Sequence, residues 1–503
     1  MSRRPQISMA AALAVGAILV LSPNLPLNRV PSEDEGVFLY VARVIAEGGM
    51  PYRDVWDHKT PGVYLLDLLA GANVWGVFLL QVITLATAAW LSYRALEHGG
   101  LGRYGAIFGT IAWVVAVPRL FLEDGLLTNF PELYALPLQF AAFGLFAEDE
   151  ARHTPTWRTV ALGGLAAAAA LLKPTLIGVW VAIAFVLLFT SASTGRWPDF
   201  FRRARYIAGP AVVVAGVVAV WLAIGGTFGD AVDQILRYNA MYSGFATPLG
   251  RAEAIVLGLR LTLPSGLALL GLAGWVAAVS GPRPPIVLLA AVALPIEMLL
   301  ASTGRAYHYY FLPWLPAMGV LSGYLCWKLL MRFGPRFSLV VLVACVSMAI
   351  VPALLVGRLI TIRDDGAARE AAAYIDSVTT GADRVLVWGS RAEVLVLADR
   401  RSPTRLVYQY AALATRGYTS PARVDTFVAD LARERPLFII DASKDSFVTP
   451  PLDRRGFAAW TSPEPQYAWL PETSRIIDFV EANYEQIGVL QQSGWPVWRL
   501  RSR

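Results

Sequence analysis

The sequence predicts a polytopic α-helical membrane protein of about 11 spans over residues 1–356, followed by a soluble extracytoplasmic α/β domain over 357–503. Three observations carry this. Hydrophobic residues make up 56% of the 503 residues and the mean hydropathy is +0.51, too apolar for one soluble domain. Apolar runs near the roughly 20 residues needed to cross the hydrocarbon recur along the first two thirds. After Val356 the character changes, and the last 147 residues hold close to half of all charged side chains.

The first run, about 7–27, follows Arg3 and Arg4, which the positive-inside rule places in the cytoplasm. No A-x-A cleavage site follows it, so it reads as an uncleaved span rather than a signal peptide. Further spans are expected at 75–93, 104–118 and 131–147, then as a hairpin over 159–190 turning at Lys173-Pro174. The segment GRWPDFFRRAR is the strongest cytoplasmic signal, and spans at 207–224, 255–280, 286–301, 309–328 and 338–356 complete the series. This parity leaves the loops 28–74 and 225–253 and the C-terminus outside the membrane. In the last part, RVLVWG (384–389), RLVYQ (405–409) and PLFIID (436–441) read as strands, with helices near 366–378 and 421–434. Gly389 alone is no dinucleotide fingerprint.

The net charge of +6 is carried by arginines scattered over loops, with only four lysines, so no nucleic-acid partner is indicated. Cys326 and Cys345 lie in apolar runs and offer neither a disulfide framework nor a metal site.

The loop Pro31–Gly62, PSEDEGVFLYVARVIAEGGMPYRDVWDHKTPG, concentrates ionisable side chains against the membrane surface. Ser32 and Glu35 form a capping box, which gives Glu35 a structural task and leaves Asp34 free. The helix they start carries Val37, Phe38, Val41, Val44 and Ile45 on one face and is expected to lie along the bilayer. Asp34, in its first turn, is placed to accept a proton from a hydroxyl or to orient it. Thr60-Pro61 is expected to cap a second helix, 61–72, with Asp57, His58 and Lys59 at its anion-binding start.

The pattern D-E-G, G-x-P-Y-x-D and W-D-H-K-x-P-G resembles the first extracytoplasmic loop of GT-C glycosyltransferases, in the bacterial branch related to protein O-mannosyltransferases and lipid A aminoarabinose transferases. The resemblance implies that Asp34 is the catalytic base or acceptor-orienting residue, and that Asp57 and Lys59 match the acid and the phosphate-binding lysine of an F-E-K-P-like motif. The D-H-K-T-P order departs from that motif by His58 and Thr60 and leaves two candidates, His58 and Lys59, for the phosphate. TNFPEL (128–133), with Asn129 and Glu132, resembles the second outer loop near the sugar pocket. Arg305 and YHYYFLP (307–313), with His308, resemble an outer segment that could clamp phosphate oxygens. Glu297, inside a span, is the expected partner of Arg305.

These readings converge on transfer of one sugar from a polyprenyl-phosphate donor to a protein, lipid or glycan acceptor at the outer face. No metal or other cofactor is expected from the residues, and family members differ on metal dependence. A flippase or transporter of a lipid-linked sugar would instead cluster its ionisable groups near the bilayer midplane. A non-catalytic scaffold with the same fold is the remaining alternative.

Overall fold

The computed structural model describes residues 3–27, 29–122, 129–150, 157–302, 307–334, 337, 340, 344, 366–446 and 448–502. Its helical body begins with α1 (Arg3–Leu21), two short helices, α2 (Glu33–Ala46) and α3 (Gly62–Leu69), and then α4 (Val74–Leu96), α5 (Gly102–Val114) and α6 (Val117–Leu122). It continues with α7 (Pro131–Glu150), α8 (Trp157–Leu172), α9 (Gly178–Thr194) and α10 (Trp197–Ile224), and with helices over Pro248–Thr262, Leu267–Val279, Pro285–Ala301 and Trp314–Phe333. Among the described residues, Val74–Leu120, Pro174–Thr194 and Trp197–Ile224 are helical stretches long and apolar enough to cross a membrane. On α10, Val212, Val213, Val217, Val220 and Ile224 stand exposed, an apolar band suited to lipid rather than water. The expected span at 338–356 lies almost wholly outside the described residues.

The Lys173-Pro174 turn is present: α8 stops at Leu172 and a 3-10 turn over Pro174–Ile177 leads into α9. The run at 255–280 is not one continuous helix. It is two helices bent by 108° across Leu263-Pro264-Ser265-Gly266, where proline offers no N–H to continue the ladder. Elsewhere small residues let helices meet closely. A Cβ on Gly109 of α5 would lie 2.5 Å from the Gly319 carbonyl of the helix Trp314–Phe333, and a Cβ on Gly105 2.9 Å from that of Gly323.

The C-terminal part holds a four-stranded sheet of β1 (Val385–Trp388), β2 (Phe438–Asp441), β3 (Tyr484–Val489) and β4 (Pro496–Leu500), ordered β1-β2-β4-β3. β1 and β2 pair in parallel and are buried at every position, as their unbroken apolar runs require. The helices Gly366–Val378 and Pro421–Glu434 stand where they were expected. RLVYQ (405–409) is not a strand. Its backbone turns away to the first outer loop, where the Arg405 carbonyl accepts the Trp56 N–H at 2.8 Å, and the Gln409 side chain caps the end of β1 through Gly389 N–H at 2.8 Å. The hairpin β3–β4, whose two short runs flank the turn formers Ser493-Gly494, adds two strands to those the sequence predicts.

The apolar face of α2 is not left open for a bilayer. Both of its faces are buried, one against α3 and the other against the helix Ala392–Leu397 of the C-terminal part. A Cβ on Gly36 would lie 2.4 Å from the Glu393 backbone nitrogen, so only glycine permits this approach. The Tyr40 hydroxyl accepts the Ser402 N–H at 2.8 Å, and Arg43 donates to the Val396 carbonyl at 2.8 Å. Phe38, Tyr52, Trp56 and Tyr64 therefore share one apolar core with Trp388 and Tyr418.

Candidate active site

The start of α2 is built by Ser32, whose hydroxyl accepts the Glu35 N–H at 3.3 Å. The reciprocal half of the expected capping box is missing. Arg29 takes both oxygens of the fully buried Glu35 carboxylate, at 2.5 and 3.0 Å, because a buried charge needs a charged, bidentate partner more than a backbone N–H needs an acceptor. Glu35 is thereby structural, and Asp34, half-buried, faces a cavity of about 260 Å³ without a hydrogen bond or ion pair among the described residues.

His58, Lys59 and His308 line the same cavity. The two loop residues are organised from beneath. Asn239 donates its amide N–H to the His58 and Ile235 carbonyls at 2.9 and 2.8 Å, which turns its carbonyl oxygen toward His58 Nδ1 at 2.9 Å. Nδ1 must then carry the proton, leaving Nε2 as the acceptor that meets Lys59 Nζ at 3.2 Å. Burial, reinforced by the Lys59 ammonium, pushes the imidazole well below its usual range. A neutral His58 positions the lysine, and Lys59 brings the positive charge to the cavity.

Asp57 lies behind this pair. Its carboxylate accepts the Tyr64 and Tyr408 hydroxyls, each at 2.5 Å, and the His58 N–H at 2.8 Å, while its own N–H donates to Gln234 at 3.1 Å. Burial raises both phenols well above their ordinary range, so they remain donors. Asp57 is 3% exposed and does not line the cavity; it joins the loop to the C-terminal part. The expected cap at Thr60 is also absent. Pro61 takes the cap position of α3, and the buried Thr60 hydroxyl has no partner among the described residues.

Asn129 and Glu132 are not brought to the cavity. Asn129 donates to Asp67 at 2.6 Å and accepts from Tyr134 at 2.6 Å, fully buried. Glu132 pairs with Lys173 at 2.6 Å, and the Lys173 ammonium sits 3.6 Å from the centre of the Tyr310 ring. Lys173, one of the four lysines, had been assigned only to a turn; here it braces the aromatic segment that carries His308. Phe130, next to Asn129, does reach the cavity and stacks on Tyr309 at 3.9 Å. Glu297 accepts from Gln139 at 3.0 Å, and Arg305 lies outside the described residues.

Residues not singled out in the sequence complete the enclosure. Tyr238 and Tyr242 come from the 225–253 segment, and Ser390, Tyr410, Asp445 and Tyr467 come from the C-terminal part. Among the described residues, no group of three or more His, Cys, Asp or Glu is arranged to hold a metal ion.

Residues 13–327 match the family described as competence-induced protein Ccs4, N-terminal domain. A search of the curated proteins returns no match. Among solved structures, the chain is similar to ArnT from Cupriavidus metallidurans bound to undecaprenyl phosphate, at 14% identity and a TM-score of 0.61, covering 99% of this chain and 98% of that one. It is also similar to the archaeal oligosaccharyltransferase AglB from Archaeoglobus fulgidus in complex with an inhibitory peptide and a dolichol-phosphate, at 13% identity and a TM-score of 0.52, over 88% of this chain and 70% of that one. Both neighbours are of the GT-C superfamily, and this chain shares their fold.

Proposed function

This chain belongs to the competence-induced protein Ccs4 N-terminal domain family, and from its GT-C fold and its site we propose that it is a multi-pass membrane glycosyltransferase. It transfers a single sugar from a polyprenyl-phosphate donor to a protein, lipid or glycan acceptor at the outer face of a bacterial inner membrane. About 11 spans, a cytoplasmic N-terminus and an extracytoplasmic C-terminal domain belong to the same reading. The observation that carries it is a single cavity placing Asp34, a carboxylate without a hydrogen-bond or ion-pair partner among the described residues, together with a lysine held by a neutral histidine.

In this reading Asp34 accepts the proton of the acceptor hydroxyl as its oxygen attacks the anomeric carbon. The bond from that carbon to the phosphate oxygen breaks, the configuration inverts, and the negative charge gathering on the departing lipid phosphate is met by Lys59, with His308 beside it. His58 and Asp57 hold Lys59 in place, and Arg305 is the further candidate for the phosphate. That ArnT is known with undecaprenyl phosphate bound, on the same fold, supports a lipid-phosphate ligand.

The test is mass spectrometry of cell-surface glycans, glycolipids and glycoproteins from a deletion strain complemented with wild type or Asp34→Asn. A glycan product restored by wild type and absent with the variant, at equal protein level, is expected. Identical profiles in the two strains would sink the catalytic assignment and favour the scaffold.

A further inference from the structure

β1 and β2 are the parallel pair of the sheet, and in open α/β sheets ligands bind beyond the carboxyl ends of such strands. Here both carboxyl ends open onto the cavity that holds Asp34. Ser390 follows β1 by two residues and Asp445 follows β2 by four, and both line it. The loops are tied to each other by the Ala442 N–H, which donates to the Trp388 carbonyl at 2.8 Å.

The β2 loop is shaped from within. Asp441 accepts the Ser443 and Leu452 N–H groups at 3.0 and 2.9 Å, and Trp495 Nε1 donates to one Asp445 oxygen at 3.0 Å, fixing that carboxylate at the cavity's edge. Ser390 is 7% exposed, and its hydroxyl has no hydrogen-bond partner among the described residues. A buried, unsatisfied hydroxyl is unfavourable, and a ligand group that bonds to it recovers that cost. Tyr410 and Tyr467, edge to face at 5.0 Å, add aromatic surface between the two loops. A carboxylate, a hydroxyl and aromatic faces at one wall suit the vicinal hydroxyls and C–H faces of a sugar ring better than they suit a prenyl chain or a phosphate.

We propose that the loops leaving β1 and β2 recognise the transferred sugar, with Ser390 and Asp445 as its hydroxyl-binding residues. This rests on the glycosyltransferase reading above. With the lipid phosphate at Lys59, the sugar joined to it projects into the cavity between Asp34 and this wall. The C-terminal part is then a specificity element for the donor rather than a lid.

The test uses the full-length chain in lipid nanodiscs, with binding followed by native mass spectrometry. The probes are undecaprenyl phosphate and a panel of undecaprenyl-phosphate hexoses and pentoses. Wild type is expected to prefer at least one sugar-loaded carrier over the bare one, and Ser390→Ala/Asp445→Asn to lower that affinity about tenfold while leaving bare-carrier binding unchanged. Unchanged bare-carrier binding reports a folded protein; if the double variant loses both, Asp445→Asn alone decides. A preference that survives in a variant still binding the bare carrier overturns the proposal, including the case where that variant loses only acceptor binding. If wild type binds neither lipid, the glycosyltransferase reading itself has failed; if Lys59→Ala binds the bare carrier as well as wild type does, the lipid phosphate is not at Lys59 and the placement of the sugar against this wall is overturned.

Discussion

At the scale of single residues, one short loop separates structural from chemical side chains by their partners. Glu35 and Asp34 are sequence neighbours, yet Arg29 claims the first and the second faces the cavity. The sequence offers both His58 and Lys59 for the phosphate, and the carbonyl of Asn239 distinguishes them by fixing the imidazole tautomer. Lys59→Met is therefore expected to weaken undecaprenyl-phosphate binding by tenfold or more, and Lys59→Arg to restore part of it, read by native mass spectrometry. Equal binding by all three proteins would remove Lys59 from the site. Because His58 titrates well below its unfolded value, the folded protein refuses a proton that the unfolded chain accepts below about pH 6.5. Folding stability from this residue is thus complete above that pH and falls as the pH drops beneath it. Wild type should lose more thermal stability than His58→Gln between about pH 7.5 and pH 5.5. Equal losses would mean that His58 is protonated in the fold.

At the scale of elements, the apolar face of α2 is legible at 3- and 4-residue spacing, but the burial of its opposite face is not, because helix periodicity says nothing about a second partner. Leu39 and Ala42 on α2 are fully buried by packing that only the folded chain assembles. Gly36 is the position where the approach is closest. Gly36→Leu is expected to destabilise the protein by about 1–3 kcal/mol through overpacking, read as a lowered thermal midpoint of the full-length chain. It should also speed amide exchange in α2 and in Ala392–Leu397 together. Exchange of α2 at the rate of a free surface helix in wild type would contradict the packing. The strand expected at 405–409 failed for a related reason: its apolar alternation serves contacts to the outer loop through Arg405 and Tyr408, not a ladder.

At the scale of the whole molecule, the 225–253 segment and the C-terminal part are joined by charged as well as apolar contacts. Tyr418 donates to Asp233 at 2.6 Å, Arg423 reaches the same carboxylate at 2.8 Å, and Arg405 meets Asp230 at 3.0 Å. Burial and the Asp233 carboxylate raise the Tyr418 phenol to about 12, so it remains a donor at any physiological pH. With the cavity roofed in this way, the C-terminal part and the loop must lie on one side of the membrane. Single cysteines introduced at exposed Asp478 and at exposed Ser193, in a background lacking Cys326 and Cys345, should be labelled by an impermeant maleimide from opposite faces. Labelling of both from the same face would overturn the proposed orientation.

The sequence by itself determined the helical membrane class, the change of character after Val356 and the choice of Asp34 and Lys59 as candidates, because hydropathy, charge density and residue type are local properties. It could not distinguish Glu132 or Asn129 as structural, since their partners Lys173 and Asp67 stand 41 and 62 residues away. Nor could it bring Ser390 and Asp445 to Asp34. That meeting depends on a parallel strand pair and on a glycine that lets two distant helices touch, which are decided only when the whole chain packs.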